Sequence, residues 1–271
     1  MRLPRVPSRR SGRLRATASF LSTLLACLTV SVLAAAGADS TRALYVKGDY
    51  AAAVASGERE ASGEALALAA RATIAEANLR ARPCLPCLDR AEALARRAIA
   101  AEPGRAESYV LLAVSLGHKA RIVGMLRARL ANSAEHAKQA LQTALRLSPA
   151  DGSALAAFGG WHIEVVRIGG ALGTALYGAR VPTGQGYFRR GIAADPGNLV
   201  LPYQYALSLA GYDLAANRQD IEPLLAAAAS GTPKTAYEAA LKTRAGRLLA
   251  LLRENDARAA LQLVKRYQGY P

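Results

Sequence analysis

Three prolines, Pro103, Pro149 and Pro196, stand 46 and 47 residues apart, and each sits in the same local setting. The stretches AIAAEPGRAESYVLLA from Ala98, ALRLSPADGSALAAFG from Ala144 and GIAADPGNLVLPYQYA from Gly191 each give a small residue, four more residues, a proline, a short turn and an apolar helical run. Small residues also fall twelve places before each proline, at Ala91, Ala137 and Gly184. Two small residues seven apart lie on one helix face about two turns apart, where a second helix can approach closely. Proline ends one helix and aims the chain into the next. A period of this length predicts a chain built from repeated helical hairpins.

Composition supports helix packed on helix. Hydrophobic residues make up 52% of the 271 residues and aromatic residues only 6%, and alanine, leucine and arginine dominate over strand-forming types. The expected fold class is all-α. Of the formal net charge of +15, six charges belong to arginines in residues 1–38, leaving +9 for the remainder. Basic residues there are interleaved with glutamates and no nucleic-acid-binding motif occurs, so nucleic acid is not an expected partner.

Residues 1–38 read as an address. MRLPRVPSRRSGRLRATA is basic and free of acids, and FLSTLLACLTVSVLAAAGA is an apolar run ending in small residues, with Ala36-Gly37-Ala38 as a cleavage site. That order predicts a signal peptide, or an uncleaved membrane anchor, since the run is close to the ~20 residues that cross a bilayer. The expected location is the periplasm or cell envelope, anchored to the inner membrane where the segment is retained. Residues 39–271 are then the folded part.

Counting forward from the prolines, the next helices carry Tyr109, Leu112 and Ala113, then Leu155, Phe158 and Gly159, then Tyr205 and Ala206. This pattern resembles the tetratricopeptide repeat, whose units have ~34 residues, so each unit here holds roughly twelve more. The extra residues fall within HKARIVGMLRARLANS from His118 and RIGGALGTALYGARVPT from Arg167. Full units are expected at about 62–103, 104–149 and 150–196, with a partial repeat before them and a helical cap over 197–271. In the cap, Asp220-Ile221-Glu222-Pro223 is expected to open a helix, and the stretches from Thr232 and Asp256 to form a final hairpin. The resulting architecture would be a tetratricopeptide-like α-solenoid.

The segment from Tyr109 to Pro196 also resembles the helical-repeat domain of the regulator of microtubule dynamics family. The likeness rests on RIVGMLRARL, on EHAKQALQTALRLSPADGSALAAFGGWH and on ALYGARVPTGQGYFRRGIAADPGN. It implies a tetratricopeptide-like interaction domain at a membrane surface and brings no catalytic residues with it. An exported chain would not meet tubulin in the cytosol, so the microtubule part of that family's name is not carried over.

Candidate chemistry is sparse. Cys84-Leu85-Pro86-Cys87 precedes a helix, as in thiol oxidoreductases, but no strand leads into it; in an exported chain a local disulfide is the expected state. A metal contact there lacks a second ligand pair. His118, His136 and His162 share no metal-binding spacing, and no nucleophile elbow occurs, so neither catalysis nor a cofactor nor a metal is expected. His162 and Trp161 in GGWHIEVVR are expected to pack in the core, and IGGALGTALYGA, with four glycines and no charge, to form an internal helix rather than a membrane-touching segment. Lys119, Arg121, Arg127 and Arg129 could receive an acidic peptide, a carboxylate or an anionic membrane surface.

The functional expectation is a non-enzymatic interaction or scaffolding module that binds a protein or peptide partner in a concave groove. Repeat register puts Glu107, Val110 and Val114, then Ala156, Gly160 and Ile163, then Tyr203 and Leu207 on that groove. Arg121, Glu164 and Arg167 would supply its charge. The alternative is a small-molecule-binding periplasmic component associated with a solute transporter, with a pocket floored by the glycine-rich insertion.

Overall fold

The computed structural model describes residues 39–271, so the leader and its cleavage site lie outside the described residues. Among the described residues every regular element is a helix. Residues 39–47 form α1, followed by α2 (Tyr50–Glu60), α3 (Gly63–Leu79), α4 (Leu85–Ala101), α5 (Ala106–Val123), α6 (Met125–Leu130) and α7 (Ser133–Leu147). Then come α8 (Gly152–Tyr177), α9 (Val181–Ala194), α10 (Val200–Asp213), α11 (Arg218–Ser230), α12 (Ala236–Arg253) and α13 (Ala257–Tyr267). No helix here is long and apolar enough to cross a membrane.

Local signals set the boundaries. Asp49, Ser62, Asp151, Thr235 and Asp256 cap helices, each accepting the backbone N–H of the residue three positions on. The repeated prolines stand in the short turns α4–α5, α7–α8 and α9–α10. The helix expected from Asp220 instead begins at Arg218 and carries Pro223 inside it. Proline there forgoes only the bond to the Gln219 carbonyl, and Gln219 faces water, which can replace that bond.

The helices pack in two rows. In the first row, α3, α5, α8, α10 and α12 each touch the next. In the second, α4, α7, α9 and α11 each pair with the first-row helix before them and lean on the one after. Small residues allow the pairing. Ala91, Ala98, Ala137, Ala144, Gly184 and Gly191 are all buried, as their seven-residue spacing predicts.

The α8–α9 pair is the tightest instance of this packing. A Cβ at Gly159 would stand 2.7 Å from the Gly184 carbonyl oxygen, and one at Gly184 would stand 2.7 Å from the Gly159 carbonyl oxygen. Seven residues along, Gly152 and Gly191 repeat the arrangement at 2.9 and 2.8 Å. The two backbones therefore meet with no side chain between them, in a register held over two turns.

The insertions take different forms. α6 follows α5 as a separate single-turn helix on the surface, with Met125, Leu126 and Leu130 exposed. The glycine-rich stretch is helical as expected, but it is broken at Gly170 and lies at the surface rather than inside. Gly170 adopts φ 54°, ψ −136°, a conformation that only glycine reaches easily, and the helix breaks there. Residues 171–177 then turn back against Val165, with Gly173 closest, and leave Leu172 and Leu176 exposed.

The glycine contacts make a prediction whose sign distinguishes packing from propensity. Helix propensity alone favours Gly→Ala by up to ~1 kcal/mol, whereas forcing a methyl into a closed contact costs ~1–3 kcal/mol. Gly159→Ala is expected to destabilise by about 1–2 kcal/mol in urea unfolding, while Gly246→Ala, in α12 with nothing near its Cβ position, is expected to stabilise by about 0.5–1 kcal/mol. Equal effects at both positions would contradict the close α8–α9 approach.

Candidate functional site

Three of the charged residues singled out from sequence converge. Arg121 near the end of α5 donates through Nε to Glu164 Oε1 at 2.8 Å, and Arg167 on α8 donates through Nε to Glu164 Oε2 at 2.8 Å. The side chains are mostly enclosed, at 17% exposure for Glu164, 19% for Arg121 and 23% for Arg167. Burial makes charging Glu164 more costly, but the two guanidiniums outweigh it and hold the carboxyl below its usual range.

The cluster is occupied by a distant part of the same chain. After α13, Gly269 takes φ +77° and closes the helix: its N–H donates to the Arg266 carbonyl at 3.1 Å, and the Tyr270 N–H donates to the Lys265 carbonyl at 3.1 Å. That turn delivers Tyr270 to the cluster, where its hydroxyl donates to Glu164 and accepts from Arg167. The Arg167 guanidinium lies 4.7 Å from the centre of the Tyr270 ring and that of Arg121 lies 5.9 Å from it. Arg121 also donates to the Gln268 carbonyl at 3.1 Å, and the Gln268 amide donates to the Leu207 carbonyl of α10 at 3.0 Å.

Beneath α13 lies a polar chamber with room for about one water molecule. Asn78 of α3, His118 and Arg121 of α5, Tyr203 and Ser208 of α10, and Tyr237 and Arg244 of α12 face it, under Tyr267 and Gln268. Asn78 donates to the Tyr237 hydroxyl at 3.2 Å. The Tyr203 hydroxyl is buried and makes no hydrogen bond of acceptable geometry, although the Arg244 guanidinium lies beside it. A second cavity next to it, sharing Asn78 and His118, is bordered by Cys84 and Gly269.

Other residues expected on a groove are placed differently. Val110 is buried with Ala144 and Ala154, where α5, α7 and α8 meet. Gly160 faces α9 and α10, with Phe188 Cζ 3.6 Å and Ser208 Oγ 3.9 Å from its Cβ position. Tyr203 is 1% exposed, because α13 covers the face of α10 that carries it. Glu107 pairs with Arg71 of α3 at 2.9 Å. Each of these was assigned to open surface by register; Val110 and Gly160 instead lie against second-row as well as first-row helices, Glu107 is tied to α3, and α13 roofs Tyr203.

Of the basic residues in the first insertion, Lys119 is spent on Asp89 and Glu92, at 2.7 Å each, and Arg121 on Glu164. Arg127 and Arg129 on α6 make no ion pair among the described residues. Cys84 and Cys87 are joined in a disulfide at the start of α4, with the Cys84 sulfur accepting the Cys87 N–H at 3.3 Å. Trp161 is buried and donates to the Ala134 carbonyl at 2.8 Å; His162, among Phe158, Trp161 and Tyr187, accepts the Arg180 N–H at 3.2 Å. No group of three His, Cys, Asp or Glu side chains suited to a metal occurs among the described residues.

Gln268, Tyr270 and His118 were not assigned to the site from sequence. Nothing local marks them: Tyr270 lies 106 residues from Glu164, and its role depends on the Gly269 turn. Compared with known proteins, the chain matches no family model and no curated protein.

His118, partly buried, and His162, buried, predict a pH response. Burial pushes the His118 imidazole down to about 3, with Arg121 adding to the effect and Glu164 opposing it; burial, with Lys138 adding, pushes His162 down to about 4. Both folded values lie below the ordinary 6.5, so the unfolded chain binds more protons between them. Stability is fully present above pH 6.5 and is lost as pH falls toward 4. Calorimetry should show a melting temperature that declines from pH 6.5 to 5, with a shallower decline in His118→Gln; an unchanged slope in that variant would contradict the enclosed, neutral His118.

Proposed function

We propose that this chain is a non-enzymatic, tetratricopeptide-like interaction or scaffolding module of the cell envelope that binds a protein or peptide partner on its first-row face. The proline period supports a repeat architecture, and so does the packing order. First-row helices touch one another in succession while second-row helices do not pack appreciably on each other, the contact order expected of an α-solenoid. The observation that carries the functional reading is that this face already holds a peptide segment. Side chains from two helices read the hydroxyl, ring and backbone of residues 268–270 at Arg121, Glu164 and Arg167.

The polar chamber favours one further reading, a small-molecule-binding component associated with a solute transporter. Its Asn78, His118 and Tyr203 side chains suit a polar solute, but its present volume admits only water, so that reading needs α13 to move aside.

In-cell crosslinking of the tagged chain beside an Arg121→Glu/Arg167→Glu variant tests the proposal. An envelope protein recovered with wild type and reduced at least ~tenfold with the variant is the expected result, since losing buried charge-assisted contacts costs 2–5 kcal/mol of binding. Equal recovery by both, or recovery of a metabolite without a protein, would count against it.

A further inference from the structure

The contacts of residues 268–270 have the character of a recognition site rather than of a hydrophobic cap. α13 buries only Ala260 and Val264 fully, with Leu263 and Tyr267 half-buried and Leu261 exposed, whereas α10 buries eight of its residues. With so little apolar area removed from water, α13 opens at lower cost than α10, on which it packs. What fixes its end is polar and specific. Arg121 reads the Gln268 carbonyl, the Leu207 carbonyl reads the Gln268 amide, and Glu164 with Arg167 reads the Tyr270 hydroxyl.

A second observation is independent of those contacts. The Tyr203 hydroxyl, on a residue 1% exposed, borders the chamber under α13 without a hydrogen-bond partner. A buried hydroxyl left in this way is stabilised by any occupant that brings an acceptor to it. The roof supplied by α13 therefore satisfies the rim of the site, while at its floor the Tyr203 hydroxyl has no protein acceptor, only space for about one water.

We infer that α13 and residues 268–270 are a displaceable internal ligand. Resting on the proposed binding reading, the first-row face is a receptor for a partner helix whose end is closed by glycine, with a polar residue before the glycine and a tyrosine after it. Such a helix competes with α13 for Arg121, Glu164 and Arg167 and carries an acceptor to Tyr203. In the absence of partner the chain occupies its own site, so the apparent affinity is reduced by the fraction of molecules in which α13 is docked.

The test uses a fluorescent synthetic peptide of residues 256–271 and the full chain, as wild type and as Gln268→Ala/Tyr270→Ala. If α13 is docked nine-tenths of the time or more, the peptide binds the variant at least ~tenfold more tightly than wild type. A peptide carrying Tyr270→Ala binds neither. Equal affinity for both chains, or no binding to a variant that melts cooperatively, would overturn the inference. Hydrogen exchange on wild type keeps the question open to test if the variant does not fold: α13 amides should exchange through a local opening, well before those of α10 and α12. Exchange of α13 only with global unfolding would overturn it. In the crosslinking experiment, a partner taken equally by wild type and by Gln268→Ala/Tyr270→Ala sinks the internal ligand and leaves the binding reading standing. No partner with either chain sinks the binding reading itself.

Discussion

The carboxylate of Glu164 sits where water reaches it poorly, and much of the arrangement around it follows from that. An ionised carboxylate removed from water needs opposite charge and hydrogen bonds, and a buried pair broken on one side is costly. Arg121 supplies one partner from α5 and Arg167 another from one turn along α8. Two adjacent first-row helices are thereby fixed in register at one level. Each guanidinium retains donors after serving Glu164, and those spare donors reach the Gln268 carbonyl and the Tyr270 hydroxyl. One acid thus couples α5, α8 and the end of α13.

The second constraint is the near absence of side chains between α8 and α9. Gly159 against Gly184 and Gly152 against Gly191 bring two backbones into contact, so α8 is held rigidly along the length that leads to Glu164. Beyond the break at Gly170 that support ends, and residues 171–177 lie on the surface, as α6 does to a greater degree. The charge of Glu164 and Arg167 is therefore placed on the rigid part of α8, not on its glycine-rich continuation.

Much of this was legible from sequence where the signal is local. The small residues before each proline and the disulfide between Cys84 and Cys87 both rest on spacing along one short stretch of chain. The all-helical class follows from the same spacing. The groove positions Val110, Gly160 and Tyr203 were read one step too open. A repeat register tells which face points inward but not whether something covers it. Val110 is covered by α7 and α8 and Gly160 by α9 and α10, while Tyr203 lies under α13, whose docking depends on a positive φ at Gly269 and on partners more than a hundred residues away. No local pattern carries that information.

The coupling between Glu164 and Tyr270 is the most direct measure of whether the first-row face recognises the chain's own end. A double-mutant cycle with Glu164→Gln and Tyr270→Phe, followed by urea unfolding, isolates that interaction from the separate cost of each change. The account predicts a coupling of about 1 kcal/mol or more, in the range found for contacting residues of one hydrogen-bonded network. Additivity within about 0.3–0.5 kcal/mol, as found for independent sites, would contradict it.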